Sequence, residues 1–233
     1  MSDPAQPVPI ADTTYSLVGG QLCLDFVNTV DFWSHDPAAP TVYAAGDDEM
    51  PTYAHLLAWA RQAGAIPADV ADRLGERALR QPAEAERVMR RARRFRDVLH
   101  ALLAASMHGV APKPKDVAVL NKEAVALLAA ARLVPLDDAY QLSCPGETGC
   151  EADPAATALD RPLWPVVRSA LALLTTPDDL AKVGECANNA CGWVFLDRSG
   201  RRRWCSMAGC GTTAKVRRYR SRRKGGDGLE AAG

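Results

Sequence analysis

The residues of this chain best suited to chemistry are four cysteines near the C-terminus. They form two C-x4-C pairs, Cys186 with Cys191 and Cys205 with Cys210, and thirteen residues separate the pairs. Paired thiolates at such spacing are typical ligands of a tetrahedral Zn²⁺, which binds sulfur at about 2.3 Å. Four sulfur ligands leave no position for a catalytic water, so we predict one structural zinc ion.

Positive charge is concentrated around and after these cysteines. Residues 198–224 hold eleven Lys or Arg and no Asp or Glu, although the whole chain has 28 side chains of each sign. Residues 1–197 therefore carry 17 basic and 26 acidic side chains, a net charge of −9. This separation predicts a segment that binds a polyanion, attached to an acidic body.

A basic helix is expected directly after the last cysteine. Residues 214–224 contain neither Pro nor Gly, and Thr212 or Thr213 can serve as the N-cap. The predicted nucleic-acid contacts lie on this helix and just before it: Arg201, Arg202, Arg203, Lys215, Arg217, Arg218, Arg220, Arg222 and Arg223. The alternative interpretation of the same charges is a solvated tail or a docking surface for an acidic protein.

The residues between the two cysteine pairs predict a small hairpin. Residues 193–196 are strand formers, residues 197–200 favour a turn, and residues 202–205 would return as the partner strand. We expect Val216 and Tyr219 of the basic helix to pack on this hairpin. A module of about forty residues cannot be stable through burial alone, so zinc would supply the missing stability, on the order of 10 kcal/mol.

The preceding part of the chain predicts a mainly helical body. Helices are expected over residues 51–64, 67–81, 82–109, 115–131 and 154–175, and a hairpin over residues 132–135 and 139–143. Residues 22–30 form either a helix, with Asp25 and Asn28 on one face, or a short buried strand. Six arginines between residues 87 and 96 are expected to pair with acids elsewhere in the body rather than to bind nucleic acid.

Together these patterns predict a mainly α fold with a small β component (α+β), in which a helical N-terminal domain precedes a treble-clef-like zinc module. The expected boundaries are residues 1–183 for the helical domain, 184–224 for the zinc module and 225–233 for a disordered tail. The chain has no run of eighteen apolar residues and no secretory signal, so we predict a cytoplasmic protein whose other three cysteines are free thiols. No Ser, His and Asp arrangement is typical of a catalytic site, and no enzyme activity is predicted.

Two motifs resemble those of a known bacterial family. Residues 186–223 read C-x4-C-G-W-V-F-L-D-R-S, then R-R-R-W-C-S-M-x-x-C-G, then the basic helix, and they resemble the CGNR zinc-finger proteins. The motif G-G-Q-L-C-L-D-F-V-N-T at residues 19–29 is similar to the opening of the ABATE domain, which accompanies this finger in proteins described as stress-induced transcription regulators. Where the family has Asn and Arg, this chain has Thr212 and Thr213, so whatever that pair provides, whether base reading, phosphate contact or bracing of the knuckle, would be lost.

The resemblance implies a regulator of two parts. Its zinc finger would bind DNA, and its N-terminal domain would sense a small ligand or a stress signal. Asp25 and Asn28 are the candidate ligand-binding residues, although a structural hydrogen-bonding role is the favoured interpretation for both. The expected partners are DNA, a small-molecule effector and a second copy of the chain, because one small finger would bind DNA weakly. The competing hypothesis is a zinc-stabilised module that binds protein or RNA without sequence-specific DNA binding.

Overall fold

The described part of the chain, residues 10–31, 33, 48–143 and 158–226 of a computed structural model, contains eight α-helices and two small sheets. The helices are α1 Leu22–Val27, α2 Tyr53–Gln62, α3 Ala68–Arg80, α4 Pro82–Met107, α5 Pro114–Ala130, α6 Trp164–Leu174, α7 Pro177–Leu180 and α8 Thr212–Gly226. The strands are β1 Arg132–Leu136, β2 Ala139–Ser143, β3 Val183–Glu185 and β4 Val194–Leu196. The predicted mainly α class with a small β component is confirmed.

Prolines mark the starts of the longer helices. Pro82 and Pro114 lie in the first turns of α4 and α5, where a missing N–H leaves no hydrogen bond unmade. The four helices predicted between residues 51 and 131 are confirmed to within a few residues. Helix α6 begins later than predicted, at Trp164, because a short 3₁₀ turn over Arg161–Leu163 precedes it. The start of that predicted helix, residues 154–157, lies outside the described residues, as do Cys144 and Cys150.

The ambiguous segment at residues 22–30 forms helix α1. This helix is short but central, because Cys23, Leu24, Phe26 and Val27 are all fully buried. The ring of Phe26 lies 5.3 Å from that of Trp59 on α2, between ring centroids. Helix α1 also packs against α4, α6 and strand β4, so it connects the helical body to the chain that carries the cysteines.

Ion pairs of helix α4 hold neighbouring segments in place. The guanidinium of Arg96 is fully buried and donates to Asp48 at 2.8 Å and to the hydroxyl of Thr29 at 3.0 Å. Arg93 donates to the same carboxylate at 2.9 Å. Burial alone would raise the pKa of Asp48, but hydrogen bonds and charge from Arg96 and a further bond from Arg93 lower it below its usual value. The expectation that these arginines pair with acids is therefore confirmed for Arg93 and Arg96.

Strands β1 and β2 form the predicted hairpin at residues 132–143, with Leu136 opposite Ala139 at the turn. The second predicted hairpin is wrong. Strand β4 pairs antiparallel with β3, which lies before the first cysteine, and residues 202–205 are not a strand. The prediction placed the hairpin after the first cysteine pair, whereas this pair lies in the connection between the two paired strands, β3 and β4. Val183, Val194 and Leu196 of this sheet are buried in the main core of the helical body.

Candidate metal centre and nucleic-acid interface

The four cysteines predicted as zinc ligands lie together. The Sγ atoms of Cys186, Cys191, Cys205 and Cys210 are all within 4.8 Å of one another, and the first three residues are buried. The Sγ atoms of Cys191 and Cys205 are 3.7 Å apart. In a tetrahedral site with metal–sulfur bonds of about 2.3 Å, two sulfur atoms are about 3.8 Å apart. The cluster therefore fits one zinc ion with four thiolate ligands.

Hydrogen bonds around the cluster favour thiolates. The side-chain amide of Asn188 donates to the Sγ atom of Cys210 at 3.3 Å. Backbone N–H groups of Asn188 and Ser206 act on Cys186 and Cys205 in the same sense, lowering the thiol pKa. Zinc bound here would hold two chain segments together and supply no reaction, because all four positions are taken by sulfur.

Burial and the hydrogen bonds among the thiols shift the pKa values of the cysteines in opposite directions. The hydrogen bond from the thiol of Cys191, together with bonds from Cys210 and Cys186, lowers the pKa of Cys205 to about 6 although burial acts the other way. Burial raises the pKa of Cys186 to about 11. Cys186 thus tends to keep its proton, as does Cys191, whose pKa is raised by its hydrogen bond with Cys205 and by burial, and zinc binding must displace these protons.

Each cysteine pair is positioned by its own turn. The first pair spans the connection between β3 and β4, where the N–H of Cys186 donates to the carbonyl of Trp193 at 2.8 Å. Cys210 of the second pair lies in a π-helical turn, Met207–Gly211, and Cys205 directly precedes the N-cap of that turn, Ser206. The Ser206 hydroxyl accepts from the N–H of Gly209 at 3.3 Å.

Thr212 and Thr213 do not cap helix α8, contrary to the prediction. Their hydroxyls donate backwards, from Thr212 to the carbonyl of Met207 at 2.9 Å and from Thr213 to that of Gly209 at 3.2 Å. The cap falls earlier, at Ser206, because the π-helical turn runs directly into α8. In this chain the two threonines that replace the family's Asn and Arg stabilise the turn that carries Cys210.

Helix α1 binds the zinc module through a side-chain amide. The carboxamide of Asn28 donates from Nδ2 to the carbonyl of Val194 and accepts at Oδ1 from the N–H of Val194, both at 2.9 Å. Asn28 is 2% exposed, so both bonds are shielded from water. The N–H and the carbonyl of Val194 in β4 are thereby both paired with a side chain of the helical body, at a sequence separation of 166 residues.

Further bonds join the body to the first cysteine pair. The N–H of Trp33 donates to the carbonyl of Cys191 at 2.9 Å, and the indole N–H of Trp193 donates to the carbonyl of Val30 at 2.6 Å. Between these residues, Gly192 has a φ of 71°, and a Cβ atom there would lie 2.6 Å from the carbonyl oxygen of Trp33. Glycine at this position allows the backbone of the metal site to contact the body directly.

Asp25 and Arg202 hold the segment before α1 against the zinc module. The N–H of Gly19 donates to Asp25 at 2.7 Å, and burial raises the pKa of this carboxyl to about 6. The guanidinium of Arg202 lies 4.2 Å from the ring centre of Phe195 and donates to the carbonyls of Val18 at 2.6 Å and Trp204 at 3.1 Å, and also to that of Cys205.

Asp25 and Asn28 thus lie at the contact between body and zinc module. Both atoms of the Asn28 amide are bonded to Val194, which is the structural role that the sequence favoured. A ligand-binding role for the two residues remains a prediction. The partner of Asn28 could not be found from the sequence, although a polar residue inside an apolar run was a visible signal.

The predicted nucleic-acid contacts differ in exposure. Arg202 is only partly exposed and engaged as described, whereas the side chains of five others are exposed: Arg201, Arg203, Lys215, Arg217 and Arg218. Arg220, Arg222 and Arg223 lie within α8, but their side chains are outside the described part of the structure. Helix α8 includes residues 225 and 226, two residues more than the predicted end of the module, and residues 227–233 are not described.

The prediction that Val216 and Tyr219 pack on a hairpin is wrong, because these side chains are 42% and 62% exposed. Residues 202–205 do not form the strand on which these side chains were expected to pack. Two shallow depressions flank the module instead. One, of about 490 Å³, is lined in part by Arg201, Arg203 and Met207, and the other, of about 300 Å³, includes Arg217 and Arg218.

Family comparisons agree with this architecture. Residues 20–177 match the ABATE family, described as "Putative stress-induced transcription regulator", and residues 182–223 match the CGNR zinc finger. Neither description names a catalytic activity. A comparison with curated proteins found no match. None of the described helices is long and apolar enough to span a membrane. Because the first match covers more than half of the sequence, the chain belongs to the ABATE family of regulators and carries a CGNR zinc finger near its C-terminus.

Proposed function

We propose that this protein is a transcription regulator whose zinc finger binds duplex DNA through the phosphate backbone. The observation that supports this most strongly is the surface of the module, where five exposed cations lie around the cysteine cluster: Arg201, Arg203, Lys215, Arg217 and Arg218. Residues 198–226 contain no acidic side chain. We call these five side chains the basic surface. Acting on DNA, the protein would work in the cytoplasm of a bacterial cell.

Arg202 is not part of the proposed contact. Its guanidinium bonds three carbonyl groups and stacks on Phe195, so contact with a phosphate would break bonds that hold the module to the body. The side chains of Thr212 and Thr213 are short, and their hydroxyls donate hydrogen bonds to carbonyls of the turn. The finger would therefore depend mainly on phosphate contacts, and its preference for particular sequences would be modest.

The test is to measure DNA binding by the zinc-loaded protein with fluorescence anisotropy at several salt concentrations. With about five phosphate contacts, the slope of log K against log[salt] should lie near −4 to −5. A triple variant, K215Q/R217Q/R218Q, should weaken binding to duplexes of any sequence while zinc content stays unchanged. The control variant R61Q/R80Q/K182Q removes three exposed cations of the body and should bind as the wild type does. Unchanged affinity of the first variant would contradict the proposal.

A second candidate function, a protein- or RNA-interaction module, is favoured by a different observation. Met207, Val216 and Tyr219 are apolar or aromatic and 58%, 42% and 62% exposed, which DNA phosphates would not require. Equal binding of duplex DNA, single-stranded RNA and an acidic protein would support this alternative. A double variant, V216S/Y219S, that loses a protein partner but keeps DNA binding would separate the two functions.

The proposal also includes response to a small-molecule effector and action as a homodimer. A single finger buries little surface on DNA, and two copies would raise affinity by acting together. Light scattering of the zinc-loaded protein, with and without duplex DNA, would measure the number of copies. A monomer in both conditions would contradict dimeric action and would leave the assignment of the basic surface standing.

A further inference from the structure

A groove between helices α4 and α5 carries charge that the zinc finger does not explain. Its volume is about 1070 Å³, and it is lined by seven Lys or Arg and three acidic side chains, an excess of four positive charges. The rest of the body is acidic, since residues 1–197 have a net charge of −9. Positive charge in the groove is therefore a local property of the residues that line it.

The acids of the groove are already paired. Arg91 donates to the Glu123 carboxylate from Nε at 2.8 Å and from Nη2 at 2.6 Å, and to Asp160 from Nη1 at 2.6 Å. Glu123 is 4% exposed, so this array is a fixed part of the groove wall. Glu84, the third acid, pairs with Arg87. The acids are thus held by cations of their own and do not neutralise the others.

Three cations of the groove have no acidic partner among the described residues. These are Arg94 on α4 and Lys115 and Lys122 on α5, all exposed. Guanidinium and ammonium groups that converge from two helices are suited to phosphate oxygens, which accept charge-assisted hydrogen bonds from both.

The surface between these cations is apolar. Val88 and Leu159 are buried beneath it, and Val119 and Ala126 add further apolar surface. A DNA backbone would need only charge on an accessible surface, whereas a concave apolar floor suits a small organic molecule. The volume slightly exceeds the range of about 300–1,000 Å³ that is typical of small-molecule sites.

We propose that the groove between α4 and α5 binds an organic phosphate of about the size of a nucleotide. Its phosphate groups would contact Arg94, Lys115 and Lys122, and its apolar part would lie against Val88 and Val119. As an effector site this inference rests on the proposed regulatory function, but binding itself does not depend on DNA. The site is separate from Asp25 and Asn28, whose polar atoms bond the zinc module and the segment before α1.

The test is isothermal titration calorimetry of the zinc-loaded full chain with ATP and with pyrophosphate as probes. The groove variant R94Q/K115Q/K122Q should bind ATP about tenfold or more weakly, because hydrogen bonds to charged groups each contribute to affinity. Its three positions are exposed, so the fold should tolerate them, and a thermal melt checks this. The variants K215Q/R217Q/R218Q and R61Q/R80Q/K182Q should bind ATP as the wild type does.

Three results would overturn the proposal. The first is no heat with either probe at about 1 mM, well above the micromolar range of a specific site. The second is pyrophosphate binding as tight as that of ATP, which would leave no role for the apolar floor. The third is loss of duplex DNA binding, with ATP binding unchanged, in the groove variant, which would make the groove a second DNA surface. Failure of the basic surface to bind DNA would leave ATP binding in the groove unaffected.

Discussion

Replacing Asn28 with alanine should separate the zinc module from the helical body. The substitution removes two buried hydrogen bonds of 2.9 Å and leaves the N–H and the carbonyl of Val194 without partners. A buried polar group left unsatisfied costs about 1–3 kcal/mol, so the two groups together give a loss of about 2–6 kcal/mol in the free energy of unfolding. This is a large part of the stability of an average domain.

The assay is urea unfolding of the zinc-loaded protein, followed by tryptophan fluorescence. Trp33 and Trp193 bond across the contact between body and module, so their emission should report its opening. The control is Asn121→Ala, an exposed asparagine on helix α5, which should change the free energy of unfolding by less than about 0.5 kcal/mol.

A second substitution sharpens the test. Asn28→Asp keeps an acceptor for the N–H of Val194 but, when ionised, places a carboxylate oxygen against its carbonyl. The protonated acid can donate to that carbonyl, so the stability of this variant should recover as the pH falls. A loss below about 1 kcal/mol for Asn28→Ala, at unchanged zinc content, would refute the view that this amide holds the two parts together.

Removing zinc with a chelator should unfold the module and also reduce hydrogen-exchange protection in α1, because sheet β3–β4 is buried in the main core; unchanged α1 protection would contradict this. The pKa of Asp25 is about 6 in the folded protein, above its ordinary value of 3.8. The ionised carboxylate therefore lowers the free energy of unfolding: the cost is absent below pH 4, grows between pH 4 and pH 6 and is complete above pH 6. The stability of Asp25→Asn relative to the wild type should therefore increase by roughly 2–3 kcal/mol between pH 4 and pH 7 in unfolding experiments. A difference that does not change with pH would rule this out. Gly192→Ala should lower the melting temperature far more than Gly200→Ala, since both have positive φ but only the first new Cβ would meet a backbone atom, at 2.6 Å; equal effects would exclude the close contact.

The parts of the fold that could be predicted are those set by local sequence. Helix α4 carries proline in its first turn and apolar residues at helical spacing over 26 residues, so its position follows from the chain itself. The ligand set Cys186, Cys191, Cys205 and Cys210 could be predicted because metal ligation depends on residue type and short spacing. Both features can therefore be predicted without knowing how the rest of the chain folds.

The features that could not be predicted depend on distant partners. Strands β3 and β4 have three residues each, too few for a periodic pattern, and the glycine in β3 weakens its strand signal further. The sequence indicated residues 202–205, close to β4 in the chain, as the partner strand of β4. In the structure the side chain of Arg202 instead donates hydrogen bonds to nearby carbonyls. The groove between α4 and α5 likewise exists only once the two helices are packed.

The contacts around α1 bear on how a signal could reach the finger. Asn28 pairs with Val194, Trp33 bonds the carbonyl of Cys191, and the carbonyl of Val30 accepts from Trp193, so three residues of the body fix the first cysteine pair. Helix α1 also packs on α4, which forms one wall of the proposed ligand groove. Helix α1 therefore lies between the proposed ligand groove and the metal site and contacts the elements that carry both. Coupling between the two requires that the contact open and close as a unit, and the Asn28 substitutions measure the energy of that opening.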